Sequence, residues 1–339
     1  MKARVQTRLA DRSTKSDLSQ MAPVATPMVL MVDPSSACNF QCTFCPTGDR
    51  QLIKSIGRYQ GPKSLDAFKK IIDDLREFDS PIRVLRLYKE GEPLMNKYLP
   101  EMIQYARESG RVERIDTTTN GALLNPKISD RLIASGIDQI NISVNGVQDS
   151  HFTQLVKTKV NFEKYVENVR YLYENRGKCE IYVKAIKENL SEDDQKKFMD
   201  TFGNISDRIF LENMFSAWPD FKSDVIPAIP AAGHYGQEVI ERTVCPFPFY
   251  MMVINSDGSV SLCVADWART AKIGSITENS LKEIWLGERL NSYRLMHLNG
   301  CRKGDVTCAN CEVITHGVFE NIDASAQQIK ERLLAAEYR

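Results

Sequence analysis

The residues of this chain best suited to chemistry are its cysteines, of which the 339-residue sequence contains nine. Thiolates bind zinc, copper and the iron of iron–sulfur clusters in preference to hard cations. Clustered cysteines in a reducing compartment indicate metal binding or catalysis before they indicate disulfides. The spacing predicts two thiolate sites, because one group is early in the chain, another is late and a single cysteine stands apart: Cys38, Cys42 and Cys45; Cys245, Cys263, Cys301, Cys308 and Cys311; and Cys179.

The early group has the spacing Cys38-x3-Cys42-x2-Cys45 in a loop that follows an apolar run. Three thiolates without an obvious fourth leave one coordination position open, as catalytic zinc sites do. A four-iron cluster held by the same thiolates would also leave one iron free. A structural zinc loop that recruits a distant fourth ligand is the alternative.

The late group supplies four thiolates in two halves, Cys245-x17-Cys263 and Cys308-x2-Cys311. This set suits structural zinc as well as an iron–sulfur cluster. Cys301 is left over from both halves, either as a small surface or buried residue or as a ligand that replaces Cys245.

The elements that must position these groups alternate short apolar runs with longer amphipathic stretches. The alternation is typical of repeated βα units with buried parallel strands. Such units form either an open doubly wound sheet or an incomplete barrel. Cys179 falls in an apolar run and is predicted to belong to the core. The predicted strands are Met28–Asp33, Ile82–Tyr88, Arg114–Thr119, Gln139–Val144, Cys179–Ile186 and Arg208–Asn213, and the predicted helices are Ser64–Phe78, Pro126–Ala134, Asn161–Asn175 and Glu192–Phe202.

A second module follows a proline-containing stretch that has no sustained period and is predicted to be a linker. In this module Asp257-Gly258 has the chemistry of a hairpin turn between two apolar runs. The predicted organisation is a polar lead-in (1–25), an α/β domain (26–215), the linker (216–240), a small α+β module (241–318) and a C-terminal helix (319–339). The predicted elements after the linker are strands Tyr250–Ile254 and Val260–Val264 and helices Leu281–His297 and Ala324–Ala336.

The early cysteine loop, CNFQCTFC, resembles the signature of the radical S-adenosylmethionine (radical SAM) superfamily, in which an aromatic residue precedes the last cysteine. The resemblance covers essentially the whole chain and implies a partial (β/α)6 TIM-type barrel with this loop after its first strand. It implies that Cys38, Cys42 and Cys45 hold a 4Fe-4S cluster whose open iron binds S-adenosyl-L-methionine. One electron then yields a 5'-deoxyadenosyl radical that abstracts a hydrogen atom from an unactivated C–H bond.

Other motifs resemble family elements at the carboxyl ends of the later predicted strands. The sequence from Glu90 to Pro93 resembles the GGEP element, whose backbone receives the methionine amino group, with Glu90 in place of the first glycine. The sequences TNG at Thr119 and SVNG at Ser143 resemble the family's TNG and SxDG. Barrel enzymes assemble their active sites on this face. The cofactor-binding residues implied by the resemblance are Phe44, Glu90, Gly91, Glu92, Asn120, Ser143, Asn145 and Lys184.

The late cysteines resemble the SPASM and shortened twitch modules of radical SAM enzymes, which bind auxiliary 4Fe-4S clusters. The chain has five cysteines after residue 240, fewer than a complete SPASM pattern, which favours the twitch form with one fully ligated cluster. The best-matched twitch enzymes oxidise, epimerise or dehydrate aminoglycoside and nucleoside sugars. The implied ligands of the auxiliary cluster are Cys245, Cys263, Cys308 and Cys311.

The leading hypothesis is epimerisation of a carbinol carbon in a sugar-like or other polyol substrate, with Cys301 as the hydrogen-atom donor. The alternative within the same chemistry is oxidation of the carbinol to a ketone, with the auxiliary cluster as electron acceptor. Peptide modification and a zinc-stapled binding protein without redox chemistry are further alternatives. The family resemblance also implies a flavodoxin or ferredoxin-type electron donor. Polar residues near strand ends or in the linker could contact substrate, namely His151, Glu212, Asn213 and His234.

Charge and hydropathy limit the other partners. Lys plus Arg and Asp plus Glu are both 44, so the chain has no cationic field for nucleic acid. The longest apolar stretches, such as Phe249–Ile254, are too short to span a membrane. The N-terminus lacks the apolar segment of a secretory signal, which predicts a cytoplasmic protein.

Overall fold

The computed structural model describes residues 1–9, 17–226 and 232–335, and the strands within these ranges form one sheet. The strands are β1 (Arg4–Val5), β2 (Val29–Val32), β3 (Ile82–Arg86), β4 (Val112–Thr119), β5 (Gln139–Val144), β6 (Glu180–Ile186), β7 (Arg208–Glu212), β8 (Met251–Ile254), β9 (Ser259–Ser261) and β10 (Lys272–Ser275). Their order across the sheet is β1-β7-β6-β5-β4-β3-β2-β8-β9-β10. The strands from β1 to β8 pair in parallel, and only the last two pairs are antiparallel. The predicted α/β class with a partial TIM-type barrel is confirmed.

The helices begin where short polar side chains can cap them. Ser64, Asn125, Asn161 and Ser191 each accept a hydrogen bond from a backbone N–H in the first turn of the helix that follows. The helices are α1 (Leu18–Met21), α2 (Arg50–Ser55), α3 (Leu65–Asp74), α4 (Leu99–Glu108), α5 (Pro126–Ala134), α6 (Asp149–Val156), α7 (Phe162–Glu174), α8 (Glu192–Phe202), α9 (Phe247–Tyr250), α10 (Leu281–Leu286), α11 (Glu288–Leu298), α12 (Val306–Ala309), α13 (Val313–His316) and α14 (Ala326–Ala335).

The residues of the parallel strands alternate between an apolar and a polar environment. Leu85, Ile115 and Ile142 are fully buried in the main core together with apolar residues of the helices. Alternate positions carry polar groups instead, and Arg208 donates to Glu180 across β6 and β7 at 2.6 Å. Barrel interiors are usually filled by branched aliphatic side chains. Polar side chains that pair with one another therefore occupy part of this face of the sheet.

The second module continues the sheet of the first domain rather than standing beside it. β8 pairs in parallel with β2 over four residue pairs, from Val29 with Met251 to Val32 with Ile254. The predicted hairpin is present, with Gly258 at a positive φ of 89° in its turn. The module that carries the late cysteines therefore adjoins the strand that leads into the early cysteine loop.

Two other expectations for this part of the chain differ from the structure. The single helix predicted for Leu281–His297 is wrong, because the extended backbone of Gly287 ends α10 and begins α11. β10 has no counterpart in the prediction. Residues 227–231 of the predicted linker and Ala336 of the predicted last helix lie outside the described residues.

The polar N-terminal lead-in contributes to the fold. β1 extends the sheet by pairing with β7, and α1 contacts α14. The backbone N–H of Leu18 donates to Glu320 at 2.8 Å, which ties the two ends of the chain together. Across the described ranges, no helix is both long enough and apolar enough to cross a membrane.

Candidate functional site

The early cysteines lie in the loop that leaves the carboxyl end of β2. The backbone N–H of Phe40 points at the sulfur of Cys38, with an N···S distance of 3.4 Å. Burial raises the pKa of Cys42 well above its ordinary value, and the neighbouring thiols of Cys45 and Cys38 raise it further. The three thiols are therefore close enough to repel one another as thiolates, a repulsion that bound iron would offset.

The loop after β3 presses against the backbone of the cysteine loop. A Cβ atom on Gly91 would stand 2.1 Å from the carbonyl oxygen of Ser35 and 2.3 Å from that of Ala37. The N–H of Glu92 donates to the Ala37 carbonyl at 2.9 Å. Glycine is therefore required here by close approach of two backbones, which places the predicted GGEP-like element against the cysteine loop.

The Glu92 carboxylate connects this element to the end of β4. It accepts hydrogen bonds from the Thr119 hydroxyl at 2.6 Å and the Asn120 N–H at 2.8 Å. Burial raises the pKa of Glu92 to about 7, although these hydrogen bonds oppose the rise. The Asn120 amide donates to Asn39 at 2.8 Å and lies 3.9 Å from the Cys38 sulfur. The side chains of Glu92 and Asn120 thus brace the cysteine loop.

The remaining predicted cofactor residues lie on the neighbouring strands or in the cysteine loop. Ser143 of β5 is in register with Lys184 of β6, and Asn145 donates back to the Ser143 carbonyl at 3.3 Å. Phe44 is half-buried in the cysteine loop. Lys184 is engaged by a protein carboxylate, since its ammonium donates to Glu212 at 2.6 Å.

Glu212, at the end of β7, is the buried centre of a group of polar side chains. Its carboxylate lies 3.2 Å from His234 and accepts a hydrogen bond from Tyr182 at 3.3 Å. Burial raises the pKa of Glu212, but Lys184 and His234 outweigh burial and hold it below its ordinary value. The structure therefore places an ionised carboxylate at the carboxyl end of β7, with the ammonium of Lys184 and the phenol of Tyr182 from β6 and the imidazole of His234 around it.

Two of the four polar residues proposed as substrate contacts from sequence belong to this group, Glu212 and His234. Asn213 supports it through its backbone, since its carbonyl lies 3.0 Å from His234 Nδ1. His151 lies elsewhere, 3.8 Å from Asp194.

Replacing Glu212 by Gln is expected to lower the free energy of unfolding by about 2 kcal/mol. The change leaves the partly buried Lys184 ammonium without its counter-charge, and hydrogen bonds to charged groups contribute about 1.5–3 kcal/mol. Urea denaturation followed by circular dichroism measures the effect. The matched control is Glu163→Gln on the exposed face of α7, and an equal effect from both changes would contradict the assigned ion pair.

Glu90 replaces the first glycine of the family motif, and its carboxylate lies among three cations. It pairs with Lys89 at 2.6 Å, with Arg269 at 2.9 Å and with Arg58 at 3.6 Å. Arg58 also donates to Thr47 in the cysteine loop at 2.7 Å. Glu90 therefore joins the cysteine loop to the second module, which carries Arg269.

Sequence reasoning missed this network. The hydrogen-bonded pair of Glu90 and Arg269 is separated by 179 residues. The one available signal was the carboxylate of Glu90 in a position where the family has glycine, next to the cation of Lys89.

The four late cysteines assigned to the auxiliary cluster line one cavity. Burial raises the pKa of Cys263 well above its ordinary value, and the other three thiols raise it further. Burial raises the pKa of Cys311, while hydrogen bonds from the N–H groups of Val313 and Ile314 oppose the rise. The residues around the cavity are Cys245, Phe247, Pro248, Leu262, Cys263, His297, Arg302, Thr307, Cys308, Cys311, Val313 and Ile314.

The early and the late sets of cysteines both have the chemistry that iron–sulfur clusters require of their ligands. Within the described ranges, no three His, Cys, Asp or Glu side chains converge on a point that could hold one metal ion. Each thiolate of a four-iron cluster binds a different iron, so its ligands stand farther apart than those of one ion. Soft sulfur donors, apolar walls and backbone N–H groups aimed at sulfur are what such a cluster requires.

The other two cysteines lie outside these groups. Cys301 is exposed, and its thiol lies 3.4 Å from the Asn299 carbonyl on the surface next to α11. It is not among the residues that line the cavity. Cys179 is buried in the main core, which confirms its predicted place.

Comparison with known proteins identifies two domains. Residues 32–195 match the radical SAM superfamily, and residues 245–312 match the SPASM iron–sulfur cluster-binding domain. A solved structure of BtrN in complex with AdoMet and 2-DOIA has a TM-score of 0.56 at 20% identity, covering 88% of this chain and 98% of that one. At this identity the likeness shows a shared fold.

Curated relatives match over shorter segments. Fe-coproporphyrin III synthase of Methanosarcina barkeri is 30% identical over 136 residues, which are 40% of this chain and 31% of the relative. AdoMet-dependent heme synthase of the same organism is 24% identical over 172 residues, which are 51% of this chain and 46% of the relative. The matched segment thus spans less than half the length of these relatives.

Proposed function

Because the chain belongs to the radical SAM superfamily and carries a SPASM domain, we propose that it oxidises a carbinol of a small sugar-like or other polyol molecule to a ketone. Its cofactors are S-adenosyl-L-methionine and two 4Fe-4S clusters. The observation that carries the proposal is the convergence of four late thiols on one cavity while Cys301 lies outside it. A fully ligated auxiliary cluster is suited to accepting an electron.

When bound, S-adenosyl-L-methionine and the first cluster would supply a 5'-deoxyadenosyl radical able to take a hydrogen atom from the carbinol carbon, and the auxiliary cluster would supply an acceptor for the remaining electron. The balance closes: the substrate loses one hydrogen atom to the nucleoside, one proton from its hydroxyl and one electron to the acceptor. The product is two hydrogens lighter than the substrate. A flavodoxin or ferredoxin-type protein is the proposed source of the electron that starts each turnover.

The chain's own residues hold and orient these partners. We assign the SAM-binding cluster to Cys38, Cys42 and Cys45, and the adjoining backbone of Gly91 supports this loop by close contact. The other sequence-assigned cofactor residues remain part of the proposal: Phe44, Glu90, Glu92, Asn120, Ser143, Asn145 and Lys184.

The polar group around Glu212 supports a hydroxyl-rich substrate. Its ionised carboxylate is an acceptor for substrate hydroxyl groups, while Lys184 and His234 provide donors beside it. Glu212 is the last residue of β7, and substrates of barrel enzymes bind at the carboxyl ends of the strands.

The exposure of Cys301 supports oxidation over epimerisation, which is the reverse of the preference drawn from the sequence. Epimerisation requires a hydrogen-atom donor that faces the substrate radical in a site from which water is excluded. The Cys301 thiol is exposed and lies against the Asn299 carbonyl. Oxidation needs no thiol donor, so it is the outcome that the arrangement of thiols supports better.

Anaerobic turnover of candidate sugars in deuterated solvent, followed by mass spectrometry, distinguishes the outcomes. We expect a product two daltons lighter than its substrate and no solvent deuterium at the reacting carbon. Solvent deuterium at an inverted carbon would instead establish epimerisation and overturn the proposal.

A pair of cysteine variants provides the matched test. Cys301→Ala is expected to leave ketone formation unchanged, because the proposed reaction uses no thiol donor. Cys311→Ala is expected to abolish ketone formation, because it removes one of the four ligands assigned to the auxiliary cluster. Release of 5'-deoxyadenosine reports separately on the first cluster. Unchanged ketone formation in Cys311→Ala would contradict the role of the late thiols.

A further inference from the structure

We propose that His297 is a positioning residue of the auxiliary cluster, which donates a hydrogen bond to the sulfur of Cys308 and makes the cluster easier to reduce. The inference rests on the proposed function to the extent that the four late thiols hold a cluster. It assigns a role to a residue that neither the sequence motifs nor the cysteine pattern singled out.

The position of His297 connects the two halves of the ligand set. It lies near the end of α11, and its side chain is buried in the wall of the cysteine cavity. Its Nδ1 lies 3.2 Å from the backbone nitrogen of Cys245, and its Nε2 lies 3.6 Å from the sulfur of Cys308. One imidazole ring therefore spans from the first ligand in sequence to the CxxC pair.

The hydrogen bonds determine the tautomer. A backbone N–H can only donate, so the Cys245 N–H requires Nδ1 to be the acceptor. The ring proton of the neutral imidazole then resides on Nε2, which faces the sulfur of Cys308. The Cys245 backbone thus makes His297 an N–H donor toward the other half of the site.

A second donor group reinforces the same electrostatic effect. The Arg302 guanidinium is buried beside the cavity and donates to the Cys308 carbonyl. Its positive charge opposes the rise in pKa that burial causes for the thiols of Cys245 and Cys311. Hydrogen bonds and positive charge near cluster sulfurs stabilise the more negative, reduced state. An auxiliary cluster that accepts an electron needs its reduced state to be stabilised in this way.

Three substitutions separate the two hydrogen bonds of His297. In His297→Asn the side-chain oxygen replaces Nδ1 and can still accept from Cys245, but the donor to Cys308 is lost. In His297→Gln the amide nitrogen replaces Nε2 and keeps that donor. His297→Phe removes both bonds while keeping a ring.

The test uses the full-length chain carrying Cys38→Ala, Cys42→Ala and Cys45→Ala, so that only the auxiliary cluster remains. Redox titration monitored by electron paramagnetic resonance gives its midpoint potential, and iron analysis gives its occupancy. His297→Asn and His297→Phe are each expected to lower the equilibrium constant for reduction about tenfold, which is about 59 mV for one electron. His297→Gln is expected to retain the parent potential.

The possible results separate this inference from the proposed function. A parent chain that binds no iron would overturn both. An unchanged potential in His297→Asn, with ketone formation intact in the enzyme that has all its cysteines, would overturn the inference alone. Loss of iron from His297→Gln as well as His297→Asn would also overturn it, because the glutamine keeps the donor to Cys308.

Discussion

Replacing Glu90 by Gln is expected to lower the free energy of unfolding by about 3–5 kcal/mol, because removing one member of a buried ion pair leaves the other charges uncompensated. The Glu90 side chain is 1% exposed, and the side chains of Lys89 and Arg58 are 0% and 1% exposed. The third cation is Arg269, whose guanidinium lies 2.9 Å from the Glu90 carboxylate. Glutamine preserves the volume of the side chain but not its charge.

The pKa of Glu90 supports this expectation. Burial raises it, but the adjacent cations of Lys89, Arg58 and Arg269 outweigh burial and hold it below its ordinary value. The carboxylate is therefore ionised, and its loss leaves Lys89 and Arg58 facing a neutral amide, while Arg269 keeps its ion pair with Asp257. The contact between Arg58 and Thr47 also links this ion-pair network to the cysteine loop.

Urea denaturation of the metal-free chain measures the effect of Glu90→Gln. The matched control is Glu113→Gln, which makes the same chemical change at an exposed position of β4. Glu90→Gly restores the family's residue at this position and is expected to be at least as destabilising, since it also removes the side chain's packing. Equal stability of Glu90→Gln and Glu113→Gln would contradict the assigned network.

Replacing Gly91 by Ala is expected to remove the SAM-binding cluster while leaving the auxiliary cluster in place. The new Cβ would stand 2.1 Å from the Ser35 carbonyl oxygen and 2.3 Å from that of Ala37. These neighbours are backbone atoms, so relief requires the cysteine loop itself to move. Overpacking of this kind costs about 1–3 kcal/mol, and here the displaced backbone leads directly to Cys38.

Iron analysis after anaerobic reconstitution measures the effect of Gly91→Ala. We expect iron to fall from about eight to about four atoms per chain, because only one of two four-iron clusters is lost. The matched control is Gly304→Ala, where a Cβ would meet no heavy atom within 4 Å. Full iron content in Gly91→Ala would show that the loop accommodates the methyl group and would contradict the assigned contact.

The sequence predicted the local elements well where burial imposes a pattern. The strand Gln139–Val144 was predicted residue for residue, because its apolar residues Ile140, Ile142 and Val144 occupy every second position, which is the period of a strand with one face in the core. Short strands at the sheet edges were missed. β1 contains two residues, and β10 contains a glycine, so neither carries a periodic signal.

Pairing of distant elements was not available from local pattern. Nothing in the hairpin of the second module indicates that β8 continues the barrel sheet next to β2, because both strands are simply apolar. The linker was predicted from a change in composition near residue 216, but the sheet continues through the parts of the chain on either side of it. Strand partners depend on packing of whole faces, which a single sequence does not specify.

The sequence alone was enough to identify the family and to predict two cluster sites from its thiols, because cysteine spacing within a loop is a local property that coordination geometry restricts tightly. The cysteine pattern already left Cys301 over, but its exposure and its place outside the cavity of the late cysteines could be seen only in the folded chain. The tertiary structure also decided that Glu90 pairs with Arg269 and that His297 joins Cys245 to Cys308. Hydrogen bonds and ion pairs act over a few ångströms, so residues far apart in sequence acquire these roles only when the fold brings them into contact.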